Sequence, residues 1–119
     1  MNIQIELVVE IIYKVRNLLN SMKVKDKKKK SFDQYLKNVA VVLKLFENRE
    51  EQLSDPKKTI LESIKKTLSD ALLFLEKKSQ EPQWKSFLYT DANERQIISF
   101  EEELHRSMSL LHLVNKDND

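Results

Sequence analysis

An all-α fold, a four-helix bundle with a short extra helical turn between helices three and four, is what three features of this chain predict. Its 119 residues contain no Gly and only two Pro, which leaves a β-rich architecture short of turn residues. Leu, Ile, Lys and Glu are abundant, a mixture that favours helices. Apolar residues also recur at spacings of three and four in four separate segments, the period of a helix with one buried face. A chain of this length sustains one core but not two, so residues 1–119 read as a single domain.

The first helix is expected over about 2–22, where Ile5, Val8, Ile12, Val15, Leu19 and Met22 make one stripe. Lys14 and Arg16 fall beside or opposite that stripe. The second is expected over about 26–52, with Phe32, Tyr35, Leu36, Val39, Val42, Leu43 and Phe46 on its apolar face. Two starts are open for it. Ser31 and Gln34 have the spacing of a capping box, which would leave the preceding lysines in a connection. Alternatively the helix begins near Asp26 and the lysines form its first turns. Positive charge at a helix N-terminus opposes the dipole by a few tenths to ~1 kcal/mol, which slightly favours the later start.

The third helix, about 55–78, has the clearest signals. Asp55-Pro56 reads as an N-cap followed by Pro at the first helical position. Leu61, Ile64, Leu68, Ala71, Leu72 and Leu75 lead to Lys77 and Lys78, whose charge suits a last turn. Ser79-Gln80-Glu81-Pro82 then ends it. Trp84, Phe87 and Leu88 fit one helical turn over 83–88, a plug at one end of the bundle. The fourth helix, about 91–115, opens on Asp91 with Glu94 three residues on, another capping box. Ile97, Phe100, Leu104, Met108 and Leu111 carry its stripe toward Val114. Four such stripes joined by short connections bury themselves against one another.

Composition also narrows function. Without Cys the chain has neither disulfides nor thiolate chemistry. Without Gly it lacks the residues of a phosphate-cradling loop or a dinucleotide fingerprint. No apolar run reaches the roughly 18–20 residues that span a bilayer. The first residues carry Glu6 and Glu10 and no basic n-region, unlike a secretory signal. A soluble intracellular protein is the expectation, without a cofactor.

Glu102 and His105 form a Glu-x-x-His pair on the fourth helix. Di-iron carboxylate bundles need a second such pair and two more inward Glu residues. Ser109 stands where that pair with His112 would need Glu, so no metal site is expected. His105 and His112 are seven apart and share a face near Ile98, at the margin of the stripe. Ser107 and Ser109 lack the neighbours that activate a nucleophile. The chain is therefore read as a non-enzyme.

The net charge of +2 conceals an asymmetry. Residues 1–20 balance, whereas residues 21–46 hold eight lysines against Asp26 and Asp33. Six of those lysines lie in Lys23-Val24-Lys25-Asp26-Lys27-Lys28-Lys29-Lys30. A solvated connection is the plain account of such a run. Recognition of an anionic surface is the functional one, since each basic residue near an anionic leaflet contributes ~1 kcal/mol. Phosphoinositide headgroups add charge-assisted hydrogen bonds to that attraction. No aromatic residue interleaves 23–30 to stack on bases, so lipid ranks above nucleic acid, which is not expected as a partner.

From Trp84 on, WKSFLYTDANERQIISFEEELHRSMSLLHLV resembles the end of the N-terminal four-helix domain of the mixed lineage kinase domain-like (MLKL) family. Phe87-Leu88, the loop with Asp91 to Glu94, and the Leu-rich close at 110–114 carry the likeness. Upstream, IIYKVRNLLNSMKVKDKKKK resembles that family's first helix running into a basic cluster. The likeness spans nearly the whole chain. It implies the executioner module of necroptosis, a lytic cell death. In that family an upstream receptor-interacting kinase phosphorylates an adjoining pseudokinase domain, and the protein oligomerises. The bundle then moves from the cytoplasm to the plasma membrane, binds phosphoinositides and cardiolipin, and permeabilises the bilayer.

By the same resemblance, lipid contact falls to Lys14, Arg16, Lys23, Lys25, Lys27, Lys28, Lys29 and Lys30. Glu101 to Glu103 would hold the soluble state or meet a neighbouring protomer. Two departures stand out. Cysteines common in the family's first two helices are absent, so thiol-directed control does not carry over. The family's brace and pseudokinase domain are not among these 119 residues. The alternative is a soluble helical protein-interaction module, an adaptor or the coiled-coil-like bundle of a resistance receptor, without lipid activity.

Overall fold

The computed structural model describes residues 3–21, 27–49, 54–80 and 91–117. Four helices account for them: α1 (Ile3–Asn20), α2 (Lys27–Arg49), α3 (Asp55–Ser79) and α4 (Asp91–Asp117). They form an elongated bundle measuring 48 × 23 × 19 Å. The four-helix architecture expected from the apolar periodicity is therefore the one observed. The expected turn at 83–88, with Trp84, Phe87 and Leu88, lies outside the described residues, as does Met22.

Contacts between helices give their directions. Arg16 meets Asp33 and Tyr13 meets Lys44, so late α1 pairs with early α2 and the two run antiparallel. Phe74 meets Phe100 edge-on at 5.8 Å, which makes α3 and α4 antiparallel as well. Gln4 donates to Glu62 at 3.2 Å, so α1 and α3 run parallel. These two parallel helices form the middle of the bundle, with α2 against α1 and α4 against α3. The seam between α2 and α4 is much the thinnest of the four. Although consecutive, α2 and α3 are not principal neighbours. Composition explains the central place of α1: only Glu6, Glu10, Lys14 and Arg16 are charged in its 18 residues. It buries Val8 and Val9 together and packs Ile11 and Leu18 partly against the core.

The core follows the predicted stripes closely. Ile5, Ile12, Val15 and Leu19 of α1 are buried with Phe32, Leu36, Val39 and Leu43 of α2. From the other side come Leu61, Ile64, Leu68, Ala71 and Leu75 of α3, and Ile97, Phe100, Leu104 and Leu111 of α4. Val42 departs from expectation, being 39% exposed. It lies seven residues after Tyr35, on the side of α2 where the thin seam leaves little to cover it.

α2 begins at Lys27, with no acidic residue in its first turn, which matches the expected range of about 26–52 and the earlier of the two starts left open. Lysine is a good helix former, and its propensity is enough to offset a dipole cost of a few tenths of a kcal/mol per exposed charge. The N-cap of α3 is Ser54 rather than Asp55, in extended geometry and without a side-chain cap bond. Asp55 instead supplies negative charge within the first turn, where the dipole favours it. Lys57, in that same turn, is buried at 3% exposure with Nζ 5.5 Å from the Phe46 ring centroid. Apolar periodicity gave no sign of this lysine.

Candidate functional site

The candidate site is the end of the bundle where α1 finishes and α2 starts. Lys27, Lys28, Lys29 and Lys30 make up the first turn of α2. The turn therefore carries four residues of positive charge at the positive end of the helix dipole; the side chains of Lys27, Lys28 and Lys29 lie outside the described ones. Lys30 is exposed. Lys23 and Lys25 lie outside the described residues.

The two basic residues of α1 do not join this cluster in the same way. Arg16 Nε donates to Asp33 Oδ1 at 3.0 Å, with both side chains about three-quarters covered. Asn20 Nδ2 reaches the same oxygen at 3.4 Å. These bonds fasten the end of α1 to the start of α2 and commit the Arg16 guanidinium to a carboxylate. Lys14 is exposed. Two positions from Arg16, it lies roughly 200° away around the helix, so the pair cannot act from one face.

Farther along the α1–α2 edge, Glu6, Val9, Glu10, Tyr13 and Lys44 line an open furrow of about 400 Å³. Lys44 Nζ donates to the Tyr13 hydroxyl and lies 5.0 Å from the centroid of its ring. The furrow thus offers two carboxylates beside one engaged ammonium group.

At the α2–α4 seam the Tyr35 and His105 rings pack at 4.8 Å, tilted by 51°. The Tyr35 hydroxyl oxygen is buried and has no hydrogen-bond partner among the described residues. Burial, and secondarily the negative charge of Glu101, raise the phenol's pKa above its ordinary value of 10.0. Both act by penalising a phenolate. His105 and Glu102 are exposed, and no three metal-ligating side chains cluster among the described residues. Glu103 pairs at the surface with Arg106 at 3.4 Å.

Sequence reasoning missed the Tyr35–His105–Glu101 group because its members come from two helices whose rotation only packing fixes. The available signals were Tyr35 on the apolar face of the second helix and His105 at the margin of the fourth helix's stripe.

Together these features define an all-α bundle with a lysine-rich end. Comparison with known protein families, with curated proteins and with solved structures finds no match. No helix among the described residues is long and apolar enough to cross a membrane.

Proposed function

We propose that this chain is a membrane-binding bundle that docks on anionic phospholipid, phosphoinositides and cardiolipin included. In this reading it oligomerises there and permeabilises the bilayer, as a necroptotic effector domain of the MLKL type does. The observation that carries the proposal is the run of six lysines over residues 23–30, continued into the first turn of α2. At ~1 kcal/mol for each basic residue near an anionic leaflet, such a run supplies useful and salt-sensitive attraction. The thin α2–α4 seam adds support, because a bundle that permeabilises must be able to rearrange. The resemblance over most of the chain supplies the cell-death role, the move from cytoplasm to plasma membrane and the upstream kinase.

Arg16 contributes little to lipid contact while Asp33 holds it, so the run itself is the principal lipid-binding element. The test is sedimentation with phosphoinositide-containing liposomes, with and without added salt. Binding is expected, weakened by salt and abolished when Lys27 to Lys30 are all changed to Glu. Equal sedimentation with purely zwitterionic liposomes, or indifference to the charge reversal, refutes the proposal. The protein-interaction alternative gains if a specific protein partner binds without any lipid dependence.

A further inference from the structure

The four helices differ in the charge they turn outward. Among the described residues, α1 exposes Glu6 and Glu10, α3 exposes Glu62 and Asp70, and α4 exposes Glu102 and Glu103. Between Lys30 and Leu45, α2 exposes no carboxylate. Its one acidic residue in that stretch, Asp33, is turned to α1 and bound by Arg16 and Asn20. The Arg16–Asp33 pair thus removes the only negative charge from the outer side of this stretch.

What remains there has a regular arrangement. Lys30 and Lys37 are exposed and seven apart, so they stand on one side of α2 about 10 Å apart; Lys44, next in that line, is turned to the Tyr13 hydroxyl of α1. Beside that line stand Val41 and Leu45, 52% and 54% exposed. Four residues apart, they are neighbours on the helix surface. An exposed apolar pair flanked by lysines is the pattern of a helix lying in a membrane interface, with ammonium groups at the headgroups and apolar side chains below them.

We infer that the outer face of α2 from Lys30 to Leu45 is a bilayer-docking surface, with Val41 and Leu45 inserting among the acyl chains of an anionic leaflet. This inference rests on the lipid reading above and extends it. It assigns contact to Lys37, beyond the lysine run, and adds an apolar component that salt does not screen. Charge complementarity selects the occupant: an anionic leaflet would repel the exposed carboxylates of the other three helices, whereas the exposed residues of α2 from Lys30 to Leu45 include none, Glu6 and Glu10 standing across the furrow on α1.

The chain has no Cys, so single cysteines can be placed and labelled with an environment-sensitive fluorophore. Three sites suffice: Val41→Cys, Leu45→Cys and, as a control on α3, Leu73→Cys, where Leu73 is 64% exposed. Phosphatidylcholine vesicles containing phosphatidylserine and phosphatidylinositol phosphate are the probe. Labels at 41 and 45 should shift to the blue and escape an aqueous quencher on vesicle binding, while the label at 73 stays wet. The double substitution Val41→Ser/Leu45→Ser removes side chains already half in water, so folding should survive. It should weaken vesicle partitioning by about tenfold, the scale expected for losing partial burial of two aliphatic side chains.

Vesicle-bound protein whose labels at 41 and 45 remain accessible to quencher overturns the inference and leaves the lipid reading intact. Absence of any vesicle binding removes both. Protection given by soluble polyglutamate, or appearing without vesicles as protein concentration rises, assigns the face to an acidic protein or to a second copy and also overturns it.

Discussion

The Tyr35 hydroxyl offers an unusually direct test of the packing between α2 and α4. Its oxygen is buried without a hydrogen-bond partner among the described residues, while its ring packs against His105. A buried polar group left unpaired forfeits its hydration, at a cost of about 1–3 kcal/mol. Tyr35→Phe keeps the ring and removes the oxygen, so it should stabilise the protein by ~1 kcal/mol, the low end, since the residue as a whole is only partly buried. For 119 residues the unfolding entropy near the midpoint is about 250 cal/mol/K, so the melting temperature should rise by about 4 °C. Tyr35→Ala also loses the ring and should destabilise instead, by ~2–4 kcal/mol.

Urea titration followed by far-UV circular dichroism reads both variants. The pH dependence adds a second check. The folded protein holds the Tyr35 proton more tightly than the unfolded chain, because burial and Glu101 raise its pKa above 10.0. That contribution to stability is complete below about pH 10 and is lost as pH rises through the raised folded value. Phenylalanine has no such proton, so the advantage of the variant should widen above pH 10. A Tyr35→Phe protein that is less stable than the parent at neutral pH would refute the reasoning, because it would mean that the hydroxyl makes a bond the protein uses.

Two further outcomes bear on helix ends. Arg16→Ala, Asp33→Ala and the double variant should give a coupling of ~1 kcal/mol, the upper part of the range for ion pairs open to solvent, since each side chain here is largely covered. A coupling near zero would separate the pair from the joining of α1 and α2. Ser54→Ala should change stability by less than ~0.5 kcal/mol, below the usual ~1 kcal/mol for losing an N-cap side chain, because Ser54 makes no cap bond. A loss of the usual size would place a cap bond there in solution.

Most of the fold is legible in the sequence because helical periodicity is a local property. The stripe Leu61, Ile64, Leu68, Ala71 and Leu75 is buried as its spacing requires, and the same holds for Ile5, Ile12, Val15 and Leu19. Less of the candidate site is legible. The lysine run is plain in the chain, but the fate of Arg16 is not, because Asp33 lies on another helix and 17 residues away. Local signals placed the N-cap of α3 one residue late, at Asp55 instead of Ser54, and left two starts open for α2, of which the earlier, at Lys27, is the one observed. A possible capping box at Ser31 lost to the helix propensity of the lysines before it.

By itself the sequence determined that four amphipathic helices form, which face of each is apolar, and that positive charge gathers around residues 23–30. Spacing and composition suffice for these, since each depends on neighbours within two helical turns. Only the tertiary structure decided that α1 and α3 pack side by side and that the seam between α2 and α4 is thin. It likewise decided that Lys57 is buried while Val42 is not, and that Asp33 turns inward to Arg16. The physical reason is common to all of these. A stripe specifies what must be covered, whereas helix order and rotation specify by what, and those emerge only when four stripes compete for one core.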